Sequence, residues 1–93
     1  MPRRLTIQRT TVPNSEREKY FERLKAAMAH YESANCRFWV FEESALRGAF
    51  VEFTEADDET ALVNAQATAP LKIFDQARIY HELEIGTNAR SKD

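Results

Sequence analysis

The sequence is poor in the residues on which several common kinds of site depend. It has one cysteine, Cys36, which excludes an internal disulfide and a zinc site built mainly from thiolates. It has two glycines, Gly48 and Gly86, which excludes a glycine-rich phosphate-binding loop. Basic residues are not in excess, because 13 Lys and Arg stand against 15 Asp and Glu. This charge balance disfavours a nucleic-acid partner.

Long apolar runs are also missing. None approaches the roughly 20 residues that span a bilayer, and the basic residues 1–8 are not followed by the apolar core of a signal peptide. The chain is 43% hydrophobic and 30% charged, which is typical of a soluble globular protein. We therefore predict one cytoplasmic domain over residues 1–93, with no membrane partner. Its core should span about 4–85, followed by a flexible polar tail at 86–93.

The spacing of apolar residues predicts four strands and two helices. The helices carry their own start and stop signals. Ser15 and Glu18 form the pattern of a capping box, and Asn35 suits the left-handed residue that closes a helix. Acidic residues precede the second helix, and Pro70 ends it. In chain order we expect a strand at 4–12, a helix at about 15–34, a hairpin of strands 36–43 and 49–54, a helix at about 57–69 and a strand at 77–85.

This order predicts an α+β fold of the ferredoxin-like type, βαββαβ. Its four-stranded antiparallel sheet would carry both helices on one face. Alternation within the strands divides the side chains into two sets. We assign to the helix-covered face Leu5, Ile7, Phe38, Val40, Val51, Phe53, Ile79, Leu83 and Ile85. We assign to the open face Thr6, Gln8, Arg37, Trp39, Phe41, Phe50, Glu52, Arg78, Tyr80 and Glu82.

Four of the residues assigned to the open face are large aromatics, and soluble monomers seldom expose such a patch. The patch predicts a homodimer in which two copies pack these faces together. One interpretation treats the aromatics as a dimer core alone. The other adds a ligand cavity among them, because charged and amide side chains are interspersed with the rings.

The strand, the capped helix, the hairpin and the acidic turn 55–59 leading into Ala61 and Leu62 together resemble the dimeric α+β-barrel superfamily. That superfamily includes antibiotic-biosynthesis monooxygenases, muconolactone-isomerase-like proteins and stress-responsive barrel proteins. The resemblance implies a homodimer whose two sheets form a barrel and which binds small organic ligands, in many oxygenase members without metal or flavin. No histidine lies between Ala56 and Arg78, which disfavours haem degradation and quinol oxidation.

The candidate site combines a flat ring, a phenol and a cation. Trp39, Tyr80 and either Arg37 or Arg78 could hold an aromatic or anionic molecule. We predict Tyr80 and His81 as catalytic residues, although parity places His81 on the helix side unless a bulge reverses it. No metal or other cofactor is expected, because His81 points away from Glu82 and Glu84. The predicted ligand-binding residues are Arg37, Trp39, Phe50, Glu52, Arg78 and Glu82.

Two hypotheses about function follow. In the first, the protein is a cofactor-independent monooxygenase-like or isomerase-like enzyme acting on a small, partly aromatic or anionic organic molecule. In the second, it is a non-catalytic dimeric protein that binds such a ligand or serves in a stress response. An acid–base residue placed unambiguously in a cavity would separate them.

Overall fold

A computed structural model describes residues 3–70, 78–83 and 85 of the chain. Within them the predicted four-stranded antiparallel sheet and two helices are confirmed. A 3-10 turn, Asn14–Glu16, separates the first strand from the first helix. The predicted tail at 86–93 and Glu84 lie outside the described residues. The elements are β1 (Arg4–Thr11), α1 (Arg17–Ser33), β2 (Arg37–Glu42), β3 (Ala49–Ala56), α2 (Glu59–Ala67) and β4 (Tyr80–His81).

The sheet has the strand order β2-β3-β1-β4, which is compatible with a ferredoxin-like fold. β1 and β3 form its centre and pair along their full length, from Arg4 opposite Ala56 to Thr11 opposite Ala49. β2 and β4 are the edges. Within the described residues, β4 contributes two residues, with Tyr80 opposite Leu5 and the next residue opposite Arg4.

Helix α1 begins later than predicted. Ser15 lies inside the 3-10 turn, and the helix starts after Glu16, whose side chain makes no capping hydrogen bond. The predicted capping box is therefore wrong. The other end agrees with the prediction, because Asn35 has a φ of 61° and the Cys36 amide donates to the Tyr31 carbonyl at 2.8 Å.

The buried face of α1 follows the spacing of its large apolar residues only in part. Tyr20, Ala27 and Tyr31 are buried against the sheet. Phe21, Leu24, Met28 and Tyr31 recur at helical spacing, but Phe21 and Met28 are 37% and 55% exposed. Burial of Tyr20 in place of Phe21 brings its hydroxyl to the sheet, where it bonds to a polar side chain.

Helix α2 follows its predicted signals. The Asp58 carboxylate caps its start by accepting from the Ala61 amide at 2.8 Å, and the helix ends before Pro70. Leu62 and Ala65 face the sheet as expected. His30 joins the two helices, because its half-buried ring lies 2.7 Å from the Ala65 carbonyl oxygen.

The helices cover the face opposite to the one predicted for β1 and β3. Thr6, Phe50, Glu52 and Thr54 are buried beneath them, and α1 and α2 side chains bond to two of these residues. The assignment of Phe50 and Glu52 to the open face is therefore corrected, as is that of Thr6 and Gln8. The open face instead carries the other alternating set, which is Leu5, Ile7, Val51 and Phe53 together with Trp39 and Phe41 of β2.

The reason lies in hydrogen bonding. We predicted that the most apolar face would be the covered one, as the hydrophobic effect alone favours. The polar set can be buried because helix side chains satisfy it, with Tyr20 bonding to Glu52 and Gln66 to Thr6. The faces of β2 and β4 were assigned correctly, with Phe38, Val40 and Ile79 packed against the core. Leu83 and Ile85, also assigned to the covered face, are instead exposed.

Candidate ligand site beneath the helices

A polar seam runs across the centre of the covered face. Two cross-strand pairs form it, Gln8 opposite Glu52 and Thr6 opposite Thr54. Directly opposite residues of an antiparallel pair have Cβ atoms about 4.5–5.5 Å apart, so these side chains lie side by side. The seam interrupts the apolar layer that joins the helices to the sheet, to which Phe38, Val40 and Phe50 contribute.

Glu52 is the central group of this seam. The residue is 5% exposed, yet both carboxylate oxygens have partners. The Tyr20 hydroxyl donates to one at 2.6 Å, and the Gln8 amide donates to the other at 3.3 Å. Burial raises the pKa of Glu52 above its ordinary value, and the two hydrogen bonds oppose that rise. Burial, together with the neighbouring carboxylate, also raises the pKa of the Tyr20 hydroxyl.

A cavity of about 490 Å³ opens over this group. Gln8, Tyr20 and Glu52 line it, together with residues 10–13 at the end of β1. Glu16 and Arg23 of the α1 region and Pro70 complete the wall. The volume lies within the range of about 300–1,000 Å³ that small-molecule sites occupy.

This arrangement can exchange a proton with a bound molecule. A carboxyl with a raised pKa in a cleft is the usual form of a general base at neutral pH. Tyr20 holds the carboxylate in place and stabilises its charge through a short hydrogen bond. Thr10, Val12 and Pro13 contribute methyl and methylene surface against which an organic body can pack.

The seam continues away from the cavity to Tyr31. This residue is 1% exposed and stacks on Phe38 with ring centroids 5.0 Å apart. Burial raises the pKa of Tyr31 to about 12, while the nearby Thr54 side chain opposes the rise. No atom of the described residues lies in hydrogen-bonding geometry with the Tyr31 hydroxyl.

The open face holds the aromatic side chains of β2 and β3. Trp39 stacks on Phe53 with centroids 5.9 Å apart, and Phe41 meets Phe53 edge-on at 5.7 Å. Phe41 is 53% exposed. The prediction of aromatics on the open face is right for Trp39 and Phe41 and wrong for Phe50, which is buried against Tyr20.

A chain of ion pairs borders this aromatic surface. Glu55 accepts from both Arg3 and Arg37, and its side chain is 9% exposed. Arg37 also reaches Asp57 at 2.9 Å, and Arg3 reaches Glu82 at 2.8 Å. Arg37 and Glu82, two predicted ligand-binding residues, are therefore already paired with protein charges.

The predicted catalytic pair lies at the β4 edge. Tyr80 is opposite Leu5, which places it on the open face as predicted, and it is 47% exposed. His81 is opposite Arg4, hence on the helix side, and is exposed, as is Arg78. In the single chain the structure does not bring Trp39 and Tyr80 together, because β2 and β4 are opposite edges of the sheet.

Of the residues that line the cavity, sequence reasoning expected only Gln8 and Glu52 around a pocket, and it misplaced both. Glu52 and Gln8 were expected around a pocket, but on the other side of the sheet. Tyr20 and Arg23 were not predicted as site residues. The available signal was the second stripe of α1, since Tyr20, Ala27 and Tyr31 also recur at helical spacing.

Two classes of site can be tested against the described part of the chain. There, no three His, Cys, Asp or Glu side chains are grouped so as to hold a metal ion. No helix within residues 3–70, 78–83 and 85 is long and apolar enough to cross a membrane.

Comparisons with protein-family models, curated proteins and solved structures found no match to the chain. Function is therefore inferred from the geometry of the site.

Proposed function

We propose that this protein is a homodimer in which each protomer binds a small organic molecule over Glu52 and moves a proton on it. The class of reaction is isomerase-like or cofactor-independent monooxygenase-like. The observation that supports this proposal is the Glu52 carboxyl, which is buried, hydrogen-bonded and part of a cavity wall.

In the proposed reaction the Glu52 carboxylate takes a proton from a weakly acidic C–H or O–H group of the ligand. The bond electrons stay on the ligand as an enolate or phenolate. Returning the proton to another carbon completes an isomerisation. In the oxygenase-like variant, dioxygen takes an electron from the same anion and combines with its carbon to form a peroxide, which takes the proton back from Glu52. Cleavage of the O–O bond with loss of the second hydrogen of that carbon leaves a carbonyl, so one oxygen atom enters the ligand and the other leaves as water. Tyr20 keeps the carboxylate oriented and donates to it throughout.

The dimer is proposed from the open face. Trp39, Phe41 and Phe53 form one aromatic cluster there, and burial of a large side chain contributes about 1.5–3 kcal/mol. A second copy of the same face would cover the cluster. The pairing of two apolar sheets would give the barrel-like dimer.

The proton transfer can be tested without knowledge of the natural ligand. Phenylpyruvate, an enolisable aromatic acid, serves as the probe in D₂O, and NMR follows exchange of its benzylic hydrogens. We expect the protein to accelerate exchange and Glu52→Gln to abolish the acceleration while the probe still binds. Glu32→Gln, which removes an exposed carboxylate of α1, is the matched control and should keep the acceleration. Equal exchange with the wild-type and Glu52→Gln proteins would refute the proposal.

A second candidate is binding without catalysis. It is favoured by the hydrogen bonds from Tyr20 and Gln8, which already occupy both oxygens of Glu52. A carboxylate held in this way can orient a ligand without taking its proton. Tight binding of phenylpyruvate with no accelerated exchange would support this candidate over the enzyme.

A further inference from the structure

Resting on the proposed function, we propose that the ligand is an organic monoanion whose carboxylate or equivalent group is held by Arg23. Its uncharged body would lie over Glu52, and its far end would point towards Glu16. The proposal assigns both a ligand class and an orientation in the cavity.

Arg23 is the cation that the structure offers to this cavity. The other arginines with a described ion pair are bound to protein carboxylates, Arg3 to Glu55 at 2.9 Å and Arg17 to Glu42 at 2.7 Å. Arg37 is likewise bound on the open face. Arg23 lines the cavity and forms no ion pair with any residue of the described ranges.

Helix geometry places this cation next to the proton-transfer group. Arg23 follows Tyr20 by three residues, and such neighbours lie on one helix face with Cβ atoms about 5–6 Å apart. The Tyr20 hydroxyl is itself bonded to Glu52. An anionic group on Arg23 would therefore place the adjoining atoms of the ligand near the Glu52 carboxyl. A planar guanidinium is suited to this role because it binds carboxylates through two parallel hydrogen bonds.

Glu16 determines which way round the ligand lies in the cavity. It lies seven residues before Arg23, about 10 Å along the helix axis at the ordinary rise per residue. Both residues line the cavity, one negative and one positive, and Tyr20, which bonds to Glu52, lies between them along the helix. A molecule with an anionic group at each end would meet Glu16 and be disfavoured, whereas a monoanion can turn its uncharged end there.

The buried carboxyl does not prevent an anion from binding. Both Glu52 oxygens accept hydrogen bonds, which disperse part of the charge. Arg23 balances the charge of the ligand itself, so the Glu52 carboxylate stays available as the base.

The test uses two probes that differ in one charge, phenylpyruvate and its methyl ester. Affinities are measured by NMR titration at low ionic strength with the full chain. We expect the wild-type protein to prefer the acid by at least about tenfold. Arg23→Gln should lose that preference while binding the ester as before. Arg23→Lys should keep part of it. Lys25→Gln, which removes an exposed cation from the same helix, is the matched control.

Glu16→Gln tests the orientation. The wild-type protein should discriminate against phenylpyruvate carrying a second carboxylate on its ring, and Glu16→Gln should reduce this discrimination. Equal affinity of Arg23→Gln and the wild-type protein for phenylpyruvate would overturn the inference, as would failure of both probes to bind at millimolar concentration.

The two proposals fail in different ways. Arg23-dependent binding without Glu52-dependent exchange would leave the ligand class standing and remove the reaction. Exchange that requires Glu52 but is unchanged by Arg23→Gln, and is equally fast with the ester, would support the reaction and remove the proposed ligand class.

Discussion

The two faces of the sheet divide their chemistry in an unusual way. The face beneath the helices carries a polar seam, with Thr6, Glu52 and Thr54 all at most 5% exposed. The open face carries stacked aromatics such as Trp39 and Phe53. In most α+β domains the apolar set would face the helices and the polar set would face water.

This difference is the basis for proposing a different partner for each face. Polar side chains beneath helices are stable only where every group is satisfied, and the cavity leaves space for a further polar molecule. Apolar side chains without a covering layer favour association with another apolar surface. On this basis we propose a small ligand for the covered face and a second copy of the sheet for the open face.

The largest effect is expected from introducing a charged side chain on the open face, which tests whether that face holds a second copy. Trp39→Glu should dissociate the dimer, because each copy would bury one unpaired carboxylate among aromatics at about 3–5 kcal/mol. Sedimentation equilibrium at micromolar concentration measures the change. Met28→Glu, on the exposed side of α1, is the control and should remain dimeric. A monomeric wild-type protein would remove the basis for the dimer.

A second change probes the buried carboxyl of the covered face. The folded-state pKa of Glu52 lies above the unfolded value near 4.5. The stability of the wild-type protein should therefore fall as the pH rises from the unfolded pKa to the folded one. Glu52→Gln has no such proton to release. Over that pH range, the free energy of unfolding of Glu52→Gln should therefore rise relative to that of the wild type by up to about 1.4 kcal/mol per pH unit. Urea denaturation at a series of pH values and one protein concentration tests this, and parallel pH profiles would contradict it.

Two tyrosines of α1 sharpen the comparison within the covered face. Tyr20→Phe removes a donor to a buried carboxylate and should destabilise the protein by about 1–3 kcal/mol. Tyr31→Phe removes a hydroxyl that has no described hydrogen bond, so its effect should be close to zero or slightly stabilising. Thermal and urea unfolding of both variants provide the measurement. Equal losses would show that the Tyr20 hydrogen bond has no special role.

The smallest effect is expected where the covered face meets solvent. The Glu42 carboxylate accepts two hydrogen bonds from Arg17 and one from the Gly48 amide, and these lower the pKa of Glu42 to about 2. Its contribution to stability is therefore present above pH 4.5 and is lost as the pH falls towards 2. Glu42→Gln should be less stable than the wild type at neutral pH, and the difference should shrink in acid. A difference independent of pH would contradict the lowered pKa.

Much of the fold could be predicted because its signals are local. Asn35 closes α1 and Asp58 caps α2 through interactions within a few residues, and the β2–β3 hairpin follows from short spacing. Each signal is complete within one stretch of sequence. The capping box of Ser15 was predicted wrongly because a 3-10 turn took its place.

The site was harder to predict because it depends on which face the helices cover. Alternation separates Glu52 from Phe53 but does not say which of them is covered. That choice is made by contacts across the chain, of Tyr20 with Glu52 and of Gln66 with Thr6. Such contacts leave no periodic trace in the sequence. The local signal of a polar layer beneath α1 was the pair of tyrosines, Tyr20 and Tyr31, on the side of the helix that faces the sheet.

The long register between β1 and β3 has a consequence for how the chain folds. Each pair in this register, such as Arg4 with Ala56, closes a loop of about 40 to 50 residues. The centre of the sheet therefore forms only after the chain between its strands has been brought together, and pairings of this kind slow folding. Helix α1 and the β2–β3 hairpin need only local contacts and can form first. Until β1 arrives, the hairpin exposes an unpaired central edge beside Trp39 and Phe53, so the nascent chain depends on its first strand returning before another molecule pairs with that edge.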